Sequence, residues 1–307
     1  MSRLSGELYG NVYLGGRLWD MPLDALDDLR SRLPVGVRHR IAMGRLRYRV
    51  PTARWRSPPG ALVIGAQRSG TSSLFRYLGA HPDVAASFRK EVEYFSRRAD
   101  LGERWYRAHF ALRIGRPKLG FEATPDYLFH PLAPSRAAAL VPDARLVVLL
   151  RDPVARAWSH HQHMVRLGYE TLAFAAALAA EEERCAEDLA RLAVEPDHDA
   201  KALLRYSYAA RGLYAEQLRR WFAHFPRDQF LILPSEDFFA DTPRTFATIL
   251  DFLGLRRWEP PAFRNASRAG GNPDAGDLDA ATAAALGERF RAPNTELSAL
   301  LGEHHGI

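Results

Sequence analysis

Two short segments carry residue types in an order that could do chemistry. The first is Gly65-Ala-Gln-Arg-Ser-Gly-Thr-Ser-Ser73, which follows the apolar run Ala61-Leu-Val-Ile64 and precedes Leu74-Phe-Arg-Tyr-Leu78. A strand, a glycine turn and a helix start in that order aim free backbone N–H groups and a positive helix end at one point, which suits a phosphate. Gly65 and Gly70 have the spacing of the Gly-x-x-x-x-Gly-Lys-[Ser/Thr] loop, but Thr71 stands where the lysine that reaches the β and γ phosphates belongs. The only cation in the loop is Arg68. The segment therefore reads as a phosphate cradle that does not handle a triphosphate. The second segment is Arg151-Asp-Pro-Val-Ala-Arg-Ala-Trp-Ser159. It places Arg151 at the carboxyl end of a strand, where ligands of open α/β sheets bind. Pro153 suits a first helical turn, and Ser159 lies about two turns along. An arginine with a serine hydroxyl makes a second phosphate clamp; the alternative is a structural Arg151–Asp152 ion pair at a helix start.

The elements that must position these segments alternate along the chain. Strands are expected at 61–64, 119–122, 145–150 and 229–233, and Leu146-Val-Val-Leu-Leu150 of the third is uniformly apolar as a strand covered on both faces should be. Helices are expected at 71–80, 132–140, 153–166, 171–192, 208–224 and 242–253, with a surface face at Glu181-Glu-Glu-Arg184 and a last helix after a long loop over 264–279. This rhythm predicts an α/β fold: a three-layer, P-loop-like domain with a central, mostly parallel sheet and helices on both faces. Residues 1–58 read as a separate basic extension with a short helix around 24–33, and Pro58-Pro59-Gly60 breaks the chain before the domain proper, 59–307.

The 307 residues suffice for such a domain, and 47% apolar with 25% charged content is ordinary for a globular chain. The net charge of +6 fits an anionic ligand, a membrane surface or nucleic acid. The basic stretch Arg38, His39, Arg40, Arg45, Arg47, Arg49, Arg54 and Arg56 carries no aromatic interleaving or nucleic-acid motif, so no nucleic-acid partner is expected and peripheral membrane contact stays open. A single cysteine, Cys185, excludes an internal disulfide framework and a cysteine-based metal site. His160, His161 and His163 have no carboxylate or cysteine spaced to complete a metal site, so no metal is expected. With no run approaching roughly 18 apolar residues and no secretory leader at the N-terminus, the expected location is the cytoplasm.

The two segments together resemble the sulfotransferase superfamily, and within it the heparan-sulfate-type sulfotransferases and their bacterial relatives, over about 61–301. The resemblance implies 3′-phosphoadenosine 5′-phosphosulfate as co-substrate. Gln67, Arg68, Ser69, Gly70, Thr71 and Ser72 would hold its 5′-phosphosulfate end, and Arg151 and Ser159 its 3′-phosphate. Lys90-Glu-Val-Glu-Tyr-Phe95 resembles the family's Lys-Glu-Val-His-Phe-Phe segment, which makes Glu91 the candidate base. Gly120-Phe-Glu-Ala-Thr-Pro-Asp-Tyr127 resembles the acceptor-side Glu-Lys-Thr-Pro-x-Tyr turn. Glu93, Asp126 and His130 are the acceptor-binding candidates. The element beginning Arg211-Gly212 and the loop holding Arg264 and Arg268 resemble those that close around the 3′-phosphoadenosine, and His163 sits where N-sulfotransferase relatives carry a histidine near the leaving phosphate.

Three family positions differ. The first loop's lysine is Arg68, which keeps the charge but is a poorer proton donor. The histidine after the base is Glu93, and the lysine of the Thr-Pro turn is Ala123. The implied reaction is sulfuryl transfer to a hydroxyl, or an amine, of a carbohydrate, glycolipid or small metabolite. A phosphate-loop kinase and a non-catalytic anion-binding module are the alternatives from other classes.

Overall fold

In the computed structural model the described residues are 44, 46–114, 118–264 and 278–302. Five strands form one all-parallel sheet: β1 (Ala61–Gly65), β2 (Val84–Ala86), β3 (Leu119–Ala123), β4 (Arg145–Leu150) and β5 (Phe230–Pro234), in the spatial order β2-β3-β1-β4-β5. The helices are α1 (Thr71–Ala80), α2 (Tyr94–Arg97), α3 (Gly102–Arg107), α4 (Ala133–Leu140), α5 (Pro153–Arg166), α6 (Phe174–Ala179), α7 (Glu181–Val194), α8 (Lys201–Tyr206), α9 (Tyr214–Phe222), α10 (Ser235–Ala240), α11 (Thr242–Phe252) and α12 (Ala280–Leu301).

β1, and β4 after Arg145, carry no polar side chain, and strand alternation explains why. Leu62 and Ile64 of β1, with Leu146, Val148 and Leu150 of β4, face a core shared with Tyr127, Leu218 and Trp221. Ala61, Val63, Val147 and Leu149 face the opposite core with Leu74, Phe75, Phe246 and Ile249. Successive side chains point to opposite faces, so a strand buried on both sides has no polar phase.

The strand order sets where a ligand can sit. The chain leaves β1 through α1 toward β2 and β3 on one side, then returns to build β4 and β5 on the other. The carboxyl ends of β1 and β4 therefore flank the topological switch point, where the connections diverge and leave a crevice. β1 and β4 pair directly, with Leu62 opposite Leu146 and Val63 opposite Val147. That pairing brings the two phosphate segments, far apart in sequence, to one edge.

Several expectations are corrected. The short strand β2 has no signal of its own beyond Val84. The helix expected over 171–192 is two helices divided at Ala180. Glu181 is not on a surface face: it turns inward to accept from the Ala209 and Ala210 N–H groups at 2.7 and 2.8 Å. Arg184 pairs with Glu170 at 2.7 Å and lies over the Tyr206 ring. The helix expected over 208–224 is a short 3-10 turn followed by α9. A Cβ at Gly212 would stand 2.7 Å from Phe290 and 3.0 Å from Pro153, so helices α5 and α12 press the chain too closely there for a continuous helix with side chains. The helix expected around 24–33 and most of the 264–279 loop lie outside the described residues. Of the basic stretch, Arg49 and Arg56 both donate to the Phe110 carbonyl, at 2.6 and 2.7 Å, and join the described end of the extension to the domain.

Candidate active site

The glycine loop is held open by its backbone. Gly70 has φ +96°, and a Cβ there would meet the Phe239 ring at 2.8 Å, so both conformation and space require glycine. Arg68 also adopts a left-handed conformation, φ 70°. Ser235, just past β5, donates its hydroxyl to the Ser69 carbonyl at 3.0 Å. Arg151 donates to the Arg68 carbonyl at 3.1 Å. With these carbonyls engaged from behind, the loop presents N–H groups rather than oxygens. Gly70, Thr71 and Ser72 begin α1, whose first N–H groups have no intrahelical acceptor. Gln67 Oε1 and Ser69 Oγ are buried without a partner among the described residues. Open N–H groups, a half-buried arginine and an unpartnered hydroxyl fit a phosphate-bearing donor.

The second segment closes on the first. Asp152 caps α5 by accepting from the Ala155 N–H at 2.7 Å, and Pro153 fills the first turn. Arg151 turns toward the loop, and Tyr214 fixes its carbonyl at 2.9 Å. Ser159 then reaches Arg68, whose Nε donates to Ser159 Oγ at 3.0 Å. Burial, with Arg166 and Arg151 nearby, lowers the Arg68 guanidinium to about 10, against the opposing charge of Glu91. It remains charged at neutral pH in a locally cationic site.

Glu91 lies across this edge. It sits at φ 59° and donates its backbone N–H to the Ala123 carbonyl at 2.9 Å. Its half-exposed carboxylate is paired with the buried ammonium of Lys90. Desolvation pushes its pKa up, but the charge and hydrogen bond of Lys90, with the charge of His163, outweigh it and hold Glu91 below the ordinary carboxylate range. His163 is pulled down to about 4 by burial and by Arg68 and Arg166, so it is neutral at pH 7. Arg166 contacts His163 Nδ1 at 2.8 Å. Guanidinium only donates, so Nδ1 accepts and the ring proton resides on Nε2, leaving a neutral N–H donor.

The acceptor-side candidates divide into two groups. Glu93, φ 60°, is buried and paired with Arg97 and Arg98, each at 3.3 Å. Burial pushes it up to about 7 against the pull of Arg97 and Arg89. Asp126 accepts from Arg211 at 2.6 Å. Burial raises the Asp126 pKa, but Arg211 and His130 outweigh it and the net shift is downward. His130 is lowered to about 4 by burial despite Asp126. Arg211 is buried, ion-paired and stacked over Phe129 at 4.5 Å, while Gly212 is a close-packing position. Arg264 is exposed, and Arg268 lies outside the described residues. Lys90, which opens the segment around Glu91 in the sequence, is the partner of that carboxylate. Arg166 is not among the candidates that the sequence offers; its i,i+3 spacing from His163 is the available signal. Among the described residues no three or more His, Cys, Asp and Glu side chains are grouped to hold a metal ion, and no helix is long and apolar enough to cross a membrane.

This edge of the α/β domain brings together the glycine loop after β1 and the Arg151–Ser159 segment after β4. The sequence profile of the sulfotransferase domain family matches residues 58–261, and the chain belongs to that family. It is 31% identical over 206 residues to human heparan sulfate glucosamine 3-O-sulfotransferase 3B1, a match covering 65% of this chain and 47% of that protein. It is 29% identical over 209 residues to the bifunctional heparan sulfate N-deacetylase/N-sulfotransferase 1 of Caenorhabditis elegans, covering 65% of this chain and 22% of that protein. The chain thus spans about half, or less, of these relatives. The crystal structure of a sulfotransferase from Alicyclobacillus acidocaldarius superposes with a TM-score of 0.63 at 29% identity, covering 82% of this chain and 98% of that one.

Proposed function

We propose that this chain is a sulfotransferase that moves a sulfuryl group from 3′-phosphoadenosine 5′-phosphosulfate to a hydroxyl of a carbohydrate acceptor. The observation that carries the reading is the 3.0 Å contact between Arg68 and Ser159, which joins two phosphate-binding segments at the switch point of the sheet. The names of the 3-O- and N-sulfotransferase relatives favour a sugar over a lipid or small-metabolite acceptor. The donor supplies the activated sulfuryl group, and 3′-phosphoadenosine 5′-phosphate is its product.

The chain's own residues then have separate tasks. Gln67 to Ser72 and Arg68 hold the 5′ end through N–H groups, hydroxyls and one guanidinium. Arg151 and Ser159 take the 3′-phosphate, so Ser159 exchanges its Arg68 partner when donor enters. Glu91, ionised at neutral pH, accepts the acceptor hydroxyl's proton; such a base contributes roughly 10²–10⁴-fold in rate. Arg68 and the Nε2–H of His163 donate toward charge gathering on the leaving phosphate, a type of stabilisation that is often the largest catalytic contribution.

The test is a labelled-sulfate transfer assay over sugar, lipid and small-molecule acceptors, with mass spectrometry of the product, paired with calorimetry. Arg151→Ala should weaken 3′-phosphoadenosine 5′-phosphate far more than adenosine 5′-phosphate. Equal losses for both nucleotides would remove the 3′-phosphate assignment, and tight ATP–magnesium binding would favour a kinase.

A further inference from the structure

Glu122 is fully buried on β3, one residue before the strand ends, and no step above uses it. Its Oε1 accepts from the Tyr106 hydroxyl at 2.7 Å and the Tyr127 hydroxyl at 3.0 Å. Its Oε2 accepts from the Thr124 hydroxyl at 2.9 Å. Phe95, Tyr106 and Tyr127 rings pack around it with centroids 5.0 to 5.2 Å apart. A carboxylate there needs donors, and three hydroxyls supply them.

Two of those hydroxyls do something more. Tyr127 Oη also accepts the Tyr94 N–H at 2.9 Å and the Phe95 N–H at 3.4 Å. Thr124 Oγ1 accepts the Glu93 N–H at 3.4 Å. These N–H groups open α2, whose cap residue Glu93 offers no side-chain bond of its own. Helix starts leave such donors orphaned, and here the acceptor-side turn satisfies them from across the fold. Each hydroxyl has one proton. It can receive a backbone N–H in this arrangement because its own proton points down to Glu122. Burial raises the Glu122 pKa to about 7; above that pH the carboxylate is ionised and only accepts, so it fixes the direction of every bond above it.

We infer that Glu122 is a positioning residue: through Tyr127 and Thr124 it sets the polarity of the bonds that hold the start of α2, and so the placement of Glu91 and Glu93 against the acceptor. The segment from Glu91 to Glu93 needs such support, because Glu91 and Glu93 both occupy left-handed backbone, φ 59° and 60°, which non-glycine residues adopt only when surroundings hold them there. The Glu91 N–H on the Ala123 carbonyl ties the same segment to the same turn. Glutamine at 122 has nearly the same shape, but its amide must donate. One hydroxyl would then reverse and point its proton at a backbone N–H. The inference rests on the sulfotransferase reading for its catalytic consequence, but its backbone consequence does not.

Three variants test it: Glu122→Gln, Tyr127→Phe and, as control, Tyr106→Phe. Tyr106 bonds the same carboxylate but receives no α2 N–H, so its loss perturbs the buried group without breaking the path. At pH 8, where Glu122 is ionised, amide hydrogen exchange of residues 93–95 should accelerate at least about tenfold in the first two variants and stay within about twofold in the third. In the transfer assay the first two should lose about 10–100-fold in kcat, the scale expected when a catalytic group shifts by about 1 Å, with the Kd for 3′-phosphoadenosine 5′-phosphate within about twofold. The Glu122→Gln/Tyr127→Phe double variant should lose no more than the worse single one, since both break one path. Unchanged exchange at 93–95 in Glu122→Gln, or an equal effect of Tyr106→Phe, overturns the inference. A wild-type chain that transfers no sulfuryl group, yet shows the exchange pattern, overturns the function reading alone. Should Glu122→Gln fail to fold, Tyr127→Phe against Tyr106→Phe decides the matter unaided.

Discussion

Replacing Arg68 with methionine should leave the free protein at least as stable and weaken its response to donor product. Arg68 is held at about 10 instead of 12.5 by burial and by Arg166 and Arg151, with Glu91 the opposing charge. Its folded pKa is depressed, so the charged form is disfavoured in the folded state, and the guanidinium stays charged at neutral pH. The displacement of 2.5 units corresponds to about 3 kcal/mol, and solvent at the open edge of the site reduces it to about 1–3 kcal/mol. Methionine keeps most of the stem and loses the bond to Ser159, a loss of about 1 kcal/mol. The free variant should therefore melt at or above the wild-type temperature. The ligand reverses the order. A phosphate-bound arginine contributes about 1.5–3 kcal/mol, so the variant should bind 3′-phosphoadenosine 5′-phosphate roughly 10–150-fold more weakly. With ligand at 100 times the wild-type Kd, the wild type gains about 2.7 kcal/mol and the variant under about 1.5 kcal/mol. Thermal unfolding with and without ligand reads both effects in one experiment. A variant that melts lower when free and keeps the full ligand-dependent rise would show that Arg68 is a structural cation satisfied by Ser159, and the phosphate role would fall.

Four further outcomes are expected. Glu91→Gln should retain donor-product binding by calorimetry and lose about 10²–10⁴-fold in turnover; near-full activity would assign the base elsewhere. Gly70→Ala forces a side chain into left-handed backbone against the Phe239 ring at 2.8 Å, and should lower both the urea midpoint and nucleotide affinity, whereas Gly102→Ala, left-handed but with open space around it, should leave affinity unchanged. Glu93 and Glu122 are both raised to about 7 from 4.5, chiefly by burial. The folded state thus binds their protons more tightly, and the stability they contribute, full below about pH 4.5, is lost as pH rises through about 7; Glu122→Gln should show a shallower fall in urea midpoint between pH 5 and 7 than wild type, and an identical slope would refute the burial of that charge. Asp126→Asn should lower stability by about 3–5 kcal/mol, because it leaves the buried Arg211 without its counter-charge, and Asp126→Asn/Arg211→Met should recover part of that loss.

The residues that read most clearly in the sequence are those whose roles are local. Gly65, Gly70 and Thr71 announce a turn into a helix because the backbone geometry and its exceptions are written within six positions, and helices 71–80 and 153–166 follow their caps to the residue. β4 is legible because double burial leaves five apolar residues in a row after Arg145. Legibility ends where a residue's role depends on a distant partner. Glu181 looks like one of three surface glutamates, and only the approach of Ala209 and Ala210 shows that it is buried. The counter-charge of Arg211 is Asp126, 85 positions away, and nothing near Arg211 in the sequence announces it. The close approach of Phe290 to Gly212 is likewise invisible in the sequence around it. The same dependence makes the site what it is. Arg68 and Ser159 are 91 positions apart and meet because β1 and β4 pair in parallel at the switch point. Each clamp taken alone fits an ordinary phosphate or a structural ion pair. Their meeting at one edge is the observation on which the proposed donor, phosphorylated at both ends of its ribose, rests.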